Sequence, residues 1–146
     1  LLMPGAGYFV AMRTLDWPFF AFAVPLCLYG LVFITSVEIP DMEGDILGGK
    51  RTLVVRRGRI FGFSLIALAA SLATAMLVLF ALTGIFHPVN FFPVALISLV
   101  PLLLALRGFL HRSPDRASTL PHAVANIQGY FAFQALMLAY FALVTC

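Results

Sequence analysis

The sequence reads as an all-α, multi-span transmembrane helix bundle with four spans. Three features point to it: an apolar composition, long stretches without charge, and basic residues gathered on alternate loops. Of 146 residues, 62% are hydrophobic and 10% charged, with a mean hydropathy of +1.05; soluble domains carry roughly 45–50% and about 25%. Nine basic and six acidic side chains cannot coat a globule of 15.9 kDa, so the bilayer is the natural solvent. The same composition excludes a disordered chain, a fibrous repeat, a disulfide framework and a nucleic-acid domain. A pI of about 9.2 therefore describes loops beside a membrane. Cys27 and Cys146 both sit in apolar stretches and define no redox compartment.

The charges mark the ends of the spans. Residues 1–12 carry none but are too few to cross about 30 Å of hydrocarbon as a helix. The chain opens at Leu1 with neither a basic leader nor a cleavage site, as expected of a sequence that starts partway through a longer protein. The first span is expected over about 17–37, the uncharged stretch from Trp17 to Val37. Pro18 suits its first turn and Trp17 an interface belt, and Pro25 is tolerated inside it. From Ile60 to Leu106 no Asp, Glu, Lys or Arg occurs, but Gly84, His87, Pro88 and Asn90 interrupt the run. That stretch predicts two helices, about 60–83 and 89–106, joined by a tight turn. Turn residues follow, and continuous apolarity from Ile127 predicts a fourth span over about 127–145. No internal repeat relates the four.

Loop charge orients the bundle. Lys50, Arg51, Arg56, Arg57 and Arg59 lie between the first and second spans, and Arg107, Arg112 and Arg116 between the third and fourth. Eight of nine basic residues thus share one side, with Arg13 left on the other. The positive-inside rule puts the two basic loops in the cytoplasm and both termini across the membrane.

Chemistry is concentrated in one stretch. Glu38, Asp41, Glu43 and Asp45 are four of the six acidic residues, packed into eight positions. Glu38, Asp41 and Asp45 fall at i, i+3 and i+7, one face of a helix that continues past the first span, although Pro40 costs it a hydrogen bond. Like charges this close call for a cation between them. Mg²⁺ suits, as a hard ion held by one or two carboxylates plus phosphate oxygens. Gly48 and Gly49 allow close backbone approach, and Lys50 and Arg51 carry charge that would match a diphosphate. On charge alone, a solvated, self-paired loop remains an open reading.

The ordered string Asp41-x-x-Gly44-Asp45-x-x-x-Gly49-Lys50-Arg51-Thr52-Leu53-Val54-Val55-x-x-Gly58-Arg59 resembles the second aspartate-rich motif of the UbiA superfamily of intramembrane prenyltransferases. That resemblance implies a nine-helix prenyltransferase fold of which this chain, residues 1–146, is the C-terminal part, with one span before the motif and three after it. The first aspartate-rich motif of that family is absent here, and lone Asp16 does not replace it. The implied reaction joins a polyprenyl diphosphate to an aromatic acceptor, with Mg²⁺ as cofactor. Asp41 and Asp45 would be the catalytic metal ligands, Glu43 a supporting carboxylate with Glu38 a weaker candidate for the same role, and Lys50 and Arg51 the diphosphate contacts. Phe22, Tyr29, Phe33 and Tyr130 are candidate aromatic faces for the path of an allylic cation, with helix packing or lipid contact the stronger reading for any one of them. The order Gly-Lys-Arg-Thr-Leu is most similar to the quinone-type branch, dihydroxynaphthoate polyprenyltransferases of menaquinone synthesis above all, while the Glu43-Gly44-Asp45 element is shared with chlorophyll-type and glycerophosphate-type enzymes, which leaves the acceptor class open. The quinone-type branch implies a bacterial inner membrane, with the bilayer and the missing N-terminal helices as partners and no nucleic acid.

Other polar residues carry less. His87, His111 and His122 show no ligand spacing and read as surface histidines. Asn126, Gln128 and Tyr130 enter the last span together, to bond another helix or face a cavity. Thr52 to Arg59 predicts a short interfacial helix with its arginines toward headgroups or diphosphate. A non-catalytic membrane subunit or half-protein, and a fragment of a cation-coupled transporter, stay open as other classes; a transporter would place its carboxylates nearer the bilayer midplane.

The charge asymmetry generates a topology test. Arg57→Cys and Arg112→Cys are expected to react with an impermeant thiol reagent from the cytoplasm alone, and Asn90→Cys from the opposite side. Labelling of positions 57 and 90 from the same side would refute four spans.

Overall fold

The computed structural model describes residues 13, 17–86 and 89–144. Six helices follow in order: α1 (Trp17–Leu47), α2 (Leu53–Arg57), α3 (Arg59–Thr83), α4 (Phe92–Ile97), α5 (Leu99–Leu110) and α6 (Arg116–Val144). No strand occurs among the described residues. Four stretches are long and apolar enough to cross a membrane: Trp17–Leu47, Arg59–Thr83, Phe92–Leu110 and Arg116–Val144. Helices are the form such sequences must take, because hydrocarbon offers backbone groups no other partner. Asp16, His87, Pro88 and Cys146 lie outside the described residues; Cys27 is exposed and unpaired.

The helices outrun the apolar stretches that predicted them. α1 does not end near Val37 but continues through Pro25 and Pro40 to Leu47, and α6 starts at Arg116 rather than near Ile127. Asp115 sets that earlier start as a cap: its carboxylate accepts from the Ser118 N–H at 2.9 Å, meeting a donor the first turn leaves orphaned. The backbone N–H of Ser118 holds the Asp115 carboxyl below the usual carboxylate range. The third span begins at Phe92 rather than 89 and runs to Leu110, broken at Ser98 into α4 and α5. Pro101 accounts for the break, since its ring displaces the carbonyl four residues earlier. Between α3 and α4, Gly84 takes a left-handed conformation at φ 61°, which a residue with a Cβ adopts only at a cost.

A seam of buried residues runs down α3 at Phe63, Ile66, Ala70, Ala73, Leu77 and Phe80. Their alternating spacing of three and four is the knobs-into-holes pattern of packed helices. α1 answers with Tyr29, Val32, Ser36 and Ile39, all at or near zero exposure. Both helices are apolar all round, so periodicity in the sequence does not reveal these seams. α1 packs on α3 and α6, and α5 closes the bundle against α3 and α6.

One polar tie crosses this core. The Tyr29 hydroxyl and Thr74 Oγ1 are hydrogen-bonded at 2.8 Å, and the Ser98 carbonyl lies 3.3 Å from each, accepting the hydroxyl proton not shared between them. That carbonyl is available because the break at Ser98 stretches its helical bond from the Leu102 N–H to 3.4 Å. Tyr29 is thus a core strut joining α1, α3 and the α4–α5 joint, the packing role the sequence favoured over a cavity-lining one.

Close approach of helices fixes Gly108. A Cβ on Gly108 would meet the Phe63 ring at 2.9 Å, whereas one on Gly30 would meet nothing within 4 Å. Gly108→Ala is therefore expected to lose about 1–3 kcal/mol by overpacking. Gly30→Ala should hold steady or gain up to about 1 kcal/mol from helix propensity. Thermal unfolding in detergent distinguishes them, and equal melting points would contradict the packing.

Candidate functional site

The acidic stretch occupies the last turns of α1, at the end of the bundle shared with α2 and the α5–α6 loop. A Schellman motif stops the helix: the Lys50 N–H bonds the Asp45 carbonyl at 2.9 Å and the Gly49 N–H that of Ile46 at 3.1 Å, with Gly49 at φ 68°. This geometry returns the chain over the last turn, bringing the side chains at its two ends together. An ion pair replaces the usual apolar contact there, Lys50 Nζ to Asp45 Oδ1 at 2.8 Å. Gly49 therefore serves the helix cap first. Asp45, with Asp41 behind it, holds the Lys50 ammonium above the ordinary lysine range.

Asp41 and Asp45, one turn apart, face a cavity of about 520 Å³ lined also by Pro40, Glu43, Gly44, Lys50 and Arg116. Asp45 is buried and Asp41 exposed; Asp41 has no hydrogen-bond or ion-pair partner among the described residues. The cavity is thus walled by three carboxylates and two cations.

Glu43 is held from two sides. Arg59 donates Nη2–H to its Oε1, and Arg116 Nε stands 3.6 Å from its Oε2. Arg59 is itself buried and donates further to the carbonyls of Ile39 and Pro114, each at 3.3 Å. It begins α3 and points inward to these acceptors, where the sequence predicted headgroups or diphosphate. Arg56 and Arg57 are exposed on α2. Glu38 lies outside the cavity; its Oε2 accepts the Val54 N–H at 3.2 Å, and Thr52 caps the same short helix.

Two expected contacts do not reach the cavity. Arg51 is exposed and outside the lining, because the turn that folds Lys50 inward carries its neighbour out. Tyr130 lies fourteen residues along α6 from Arg116, about 21 Å deeper at helical rise. There it stacks on Phe33 with ring centroids 4.9 Å apart. Phe22 belongs to a cluster at the other end with Phe86, Phe91 and Phe141.

Arg59 and Arg116 are the residues that sequence reasoning missed as neighbours of the acidic stretch. They lie 16 and 73 positions from Glu43, the partner they share, so no local spacing announces them. The structure also pairs His111 with His122, rings stacked at 5.2 Å, where the sequence showed no relation. Asn126 is buried with both amide atoms unpartnered among the described residues, and Gln128 is exposed.

A model of the UbiA prenyltransferase family matches residues 1–129 of this chain. The chain belongs to the UbiA prenyltransferase family. No curated protein and no solved structure matched it. UbiA membership and four spanning helices make it a multi-pass membrane protein of prenyltransferase type, whose substrate class is isoprenoid. The match covers the acidic stretch, the Schellman turn and both loops that wall the cavity. Among the described residues no group of three His, Cys, Asp or Glu side chains converges to hold a metal alone. Two adjacent carboxylates on an open cavity fit Mg²⁺, a hard ion usually held by one or two carboxylates together with phosphate and water oxygens.

Arg59 carries the local architecture of this UbiA-family site. Arg59→Ala is expected to lower stability by about 3 kcal/mol, since it leaves two carbonyls and a carboxylate without their donor. Arg59→Lys should recover less than half, having one nitrogen for three acceptors. Full recovery by lysine in thermal unfolding would contradict the three-way tie.

Proposed function

We propose that this chain transfers a polyprenyl group from an isoprenoid diphosphate to an aromatic quinone precursor, with Mg²⁺, at the cytoplasmic face of a bacterial inner membrane. The observation that carries the reading is the Asp41–Asp45 pair facing one cavity with Lys50 at the end of a UbiA-family bundle. Asp41 and Asp45 would hold the metal, and Mg²⁺ when bound would neutralise charge on the diphosphate. Lys50 would move from Asp45 toward a diphosphate oxygen, a short swing for a side chain already 69% exposed.

The diphosphate leaves with the electron pair of the allylic C–O bond, and the prenyl carbon becomes cationic. Fixed charges that meet the departing oxygens lower that barrier without reorganising. The cation is attacked by the electron-rich ring of the acceptor, which then loses a proton to restore aromaticity. Phe33 and Tyr130, stacked deeper in the bundle, would present ring faces to the prenyl chain. The quinone-type acceptor is supported by the order Gly49-Lys50-Arg51-Thr52-Leu53 followed by Gly58-Arg59. A second acidic wall would come from helices N-terminal to this sequence.

In the full-length protein, Asp41→Asn and Asp45→Asn are each expected to lower transfer by roughly 10²-fold or more, the usual cost of losing a charge-stabilising group. The assay pairs a prenyl diphosphate with dihydroxynaphthoate, alongside a folding control in detergent. Near-normal turnover of both variants at limiting Mg²⁺ would overturn the reading.

A further inference from the structure

We propose that Arg116, from the distant α5–α6 loop, is a substrate-phosphate contact of the cavity. The inference rests on the reading of that cavity as a diphosphate site and adds a residue that the motif does not contain.

Four observations carry it. Arg116 lines the same cavity as Asp41, Asp45 and Lys50. Its guanidinium is only partly committed: Nε forms an ion pair with Glu43 at 3.6 Å, too long for a hydrogen bond, and neither Nη has a partner among the described residues. Glu43 does not consume its charge either, because the buried Arg59 already takes that carboxylate at close range. Finally, its backbone is fixed. Arg116 is the first residue of α6, directly after the Asp115 cap, and the preceding Pro114 carbonyl is tied to Arg59.

Pairing off the cavity charges shows what the site would bind. Arg59 matches Glu43 and Lys50 matches Asp45, which leaves Asp41 without an ion-pair partner among the described residues and Arg116 with only its long contact to the already matched Glu43, the two lining one space with opposite charge. A simple cation would suit Asp41 and be repelled by Arg116, and a simple anion the reverse. A metal-bound diphosphate satisfies both, offering its metal to the carboxylate and its oxygens to the guanidinium fork. The N-terminal amides of α6 are not the anion site here, since Asp115 occupies the first turn.

The test is Mg²⁺-dependent binding of inorganic pyrophosphate to the full-length protein in detergent, measured calorimetrically. Arg116→Ala should weaken binding about tenfold or more, the worth of one charge-assisted contact. Arg116→Lys should recover part of the loss, and Arg112→Ala, whose guanidinium lies over the Phe109 ring, should bind within about twofold of wild type. Glu43→Gln removes the same ion pair but leaves the Arg116 guanidinium in place. A loss there equal to that of Arg116→Ala would make Arg116 a strut for Glu43 and overturn the proposal. Wild-type affinity in Arg116→Ala, with binding abolished in Asp41→Asn, would also overturn it while leaving the cavity reading intact. Unchanged binding in Asp41→Asn and Asp45→Asn would instead sink the cavity reading itself. Should Arg116→Ala fail to fold, the lysine and Glu43→Gln variants decide between contact and strut.

Discussion

Arg59 reaches from the first residue of α3 to three places at once: the Ile39 carbonyl, the Pro114 carbonyl and the Glu43 carboxylate. A buried guanidinium is costly unless its donors and its charge are met, and no single helix could meet them. Two of the acceptors lie on α1 and one on the loop before α6, so satisfying Arg59 brings three segments into register. Everything else at this end depends on that register. The acidic turns of α1 are held after Pro40 has removed a hydrogen bond from the helix, and the loop that ends in Arg116 is drawn against them.

A second constraint acts at the middle of the bundle, where hydrocarbon leaves polar groups nothing but one another. Tyr29, Thr74 and Ser98 close on each other there. Such bonds are worth about 0.6 kcal/mol on average in membrane proteins, so the tie specifies register more than it stabilises. α1 is thus pinned at two depths, by Tyr29 within the core and by Arg59 near its end. Between those pins its buried face repeats the spacing of α3, and the helix has little freedom to rotate. A one-residue rotation would turn Asp41 and Asp45 from the cavity by about 100°, the angular step set by 3.6 residues per turn.

Several elements were legible in the residues alone. Uncharged stretches bounded by charge mark four spans because the bilayer penalises charge more strongly than any local propensity acts. Asp41 and Asp45 share a face because the helical repeat demands it. Other features were hidden for physical reasons. Pro40 argues locally for a helix end, and only the tertiary partners of Ile39 and Glu43 show how the helix goes on. The start of α6 is set by the Asp115 cap and not by apolarity, so a hydropathy reading places it eleven residues late. That Tyr29 packs rather than lines a cavity was the favoured reading, but its partners were hidden because nothing in its own helix shows that Thr74 and Ser98 stand opposite. Arg116 looked like an ordinary loop cation, since its relation to Asp41 exists only once two loops meet.

The distribution of chemistry along the bundle also follows from what the bilayer tolerates. Unpaired carboxylates and ammonium groups are affordable at a helix end, where water and headgroups reach them, and costly at mid-depth. Asp41, Asp45, Lys50 and Arg116 accordingly gather at one end, while Phe33 and Tyr130 stack about 18–21 Å further along their helices. An isoprenoid diphosphate has the same polarity, a compact polyanion on a long apolar chain. A site for such a molecule needs its charged wall at the membrane surface and its apolar wall below. The fold meets that requirement because the residues that bind charge and the residues that must sit in hydrocarbon are ordered by the same solvent gradient.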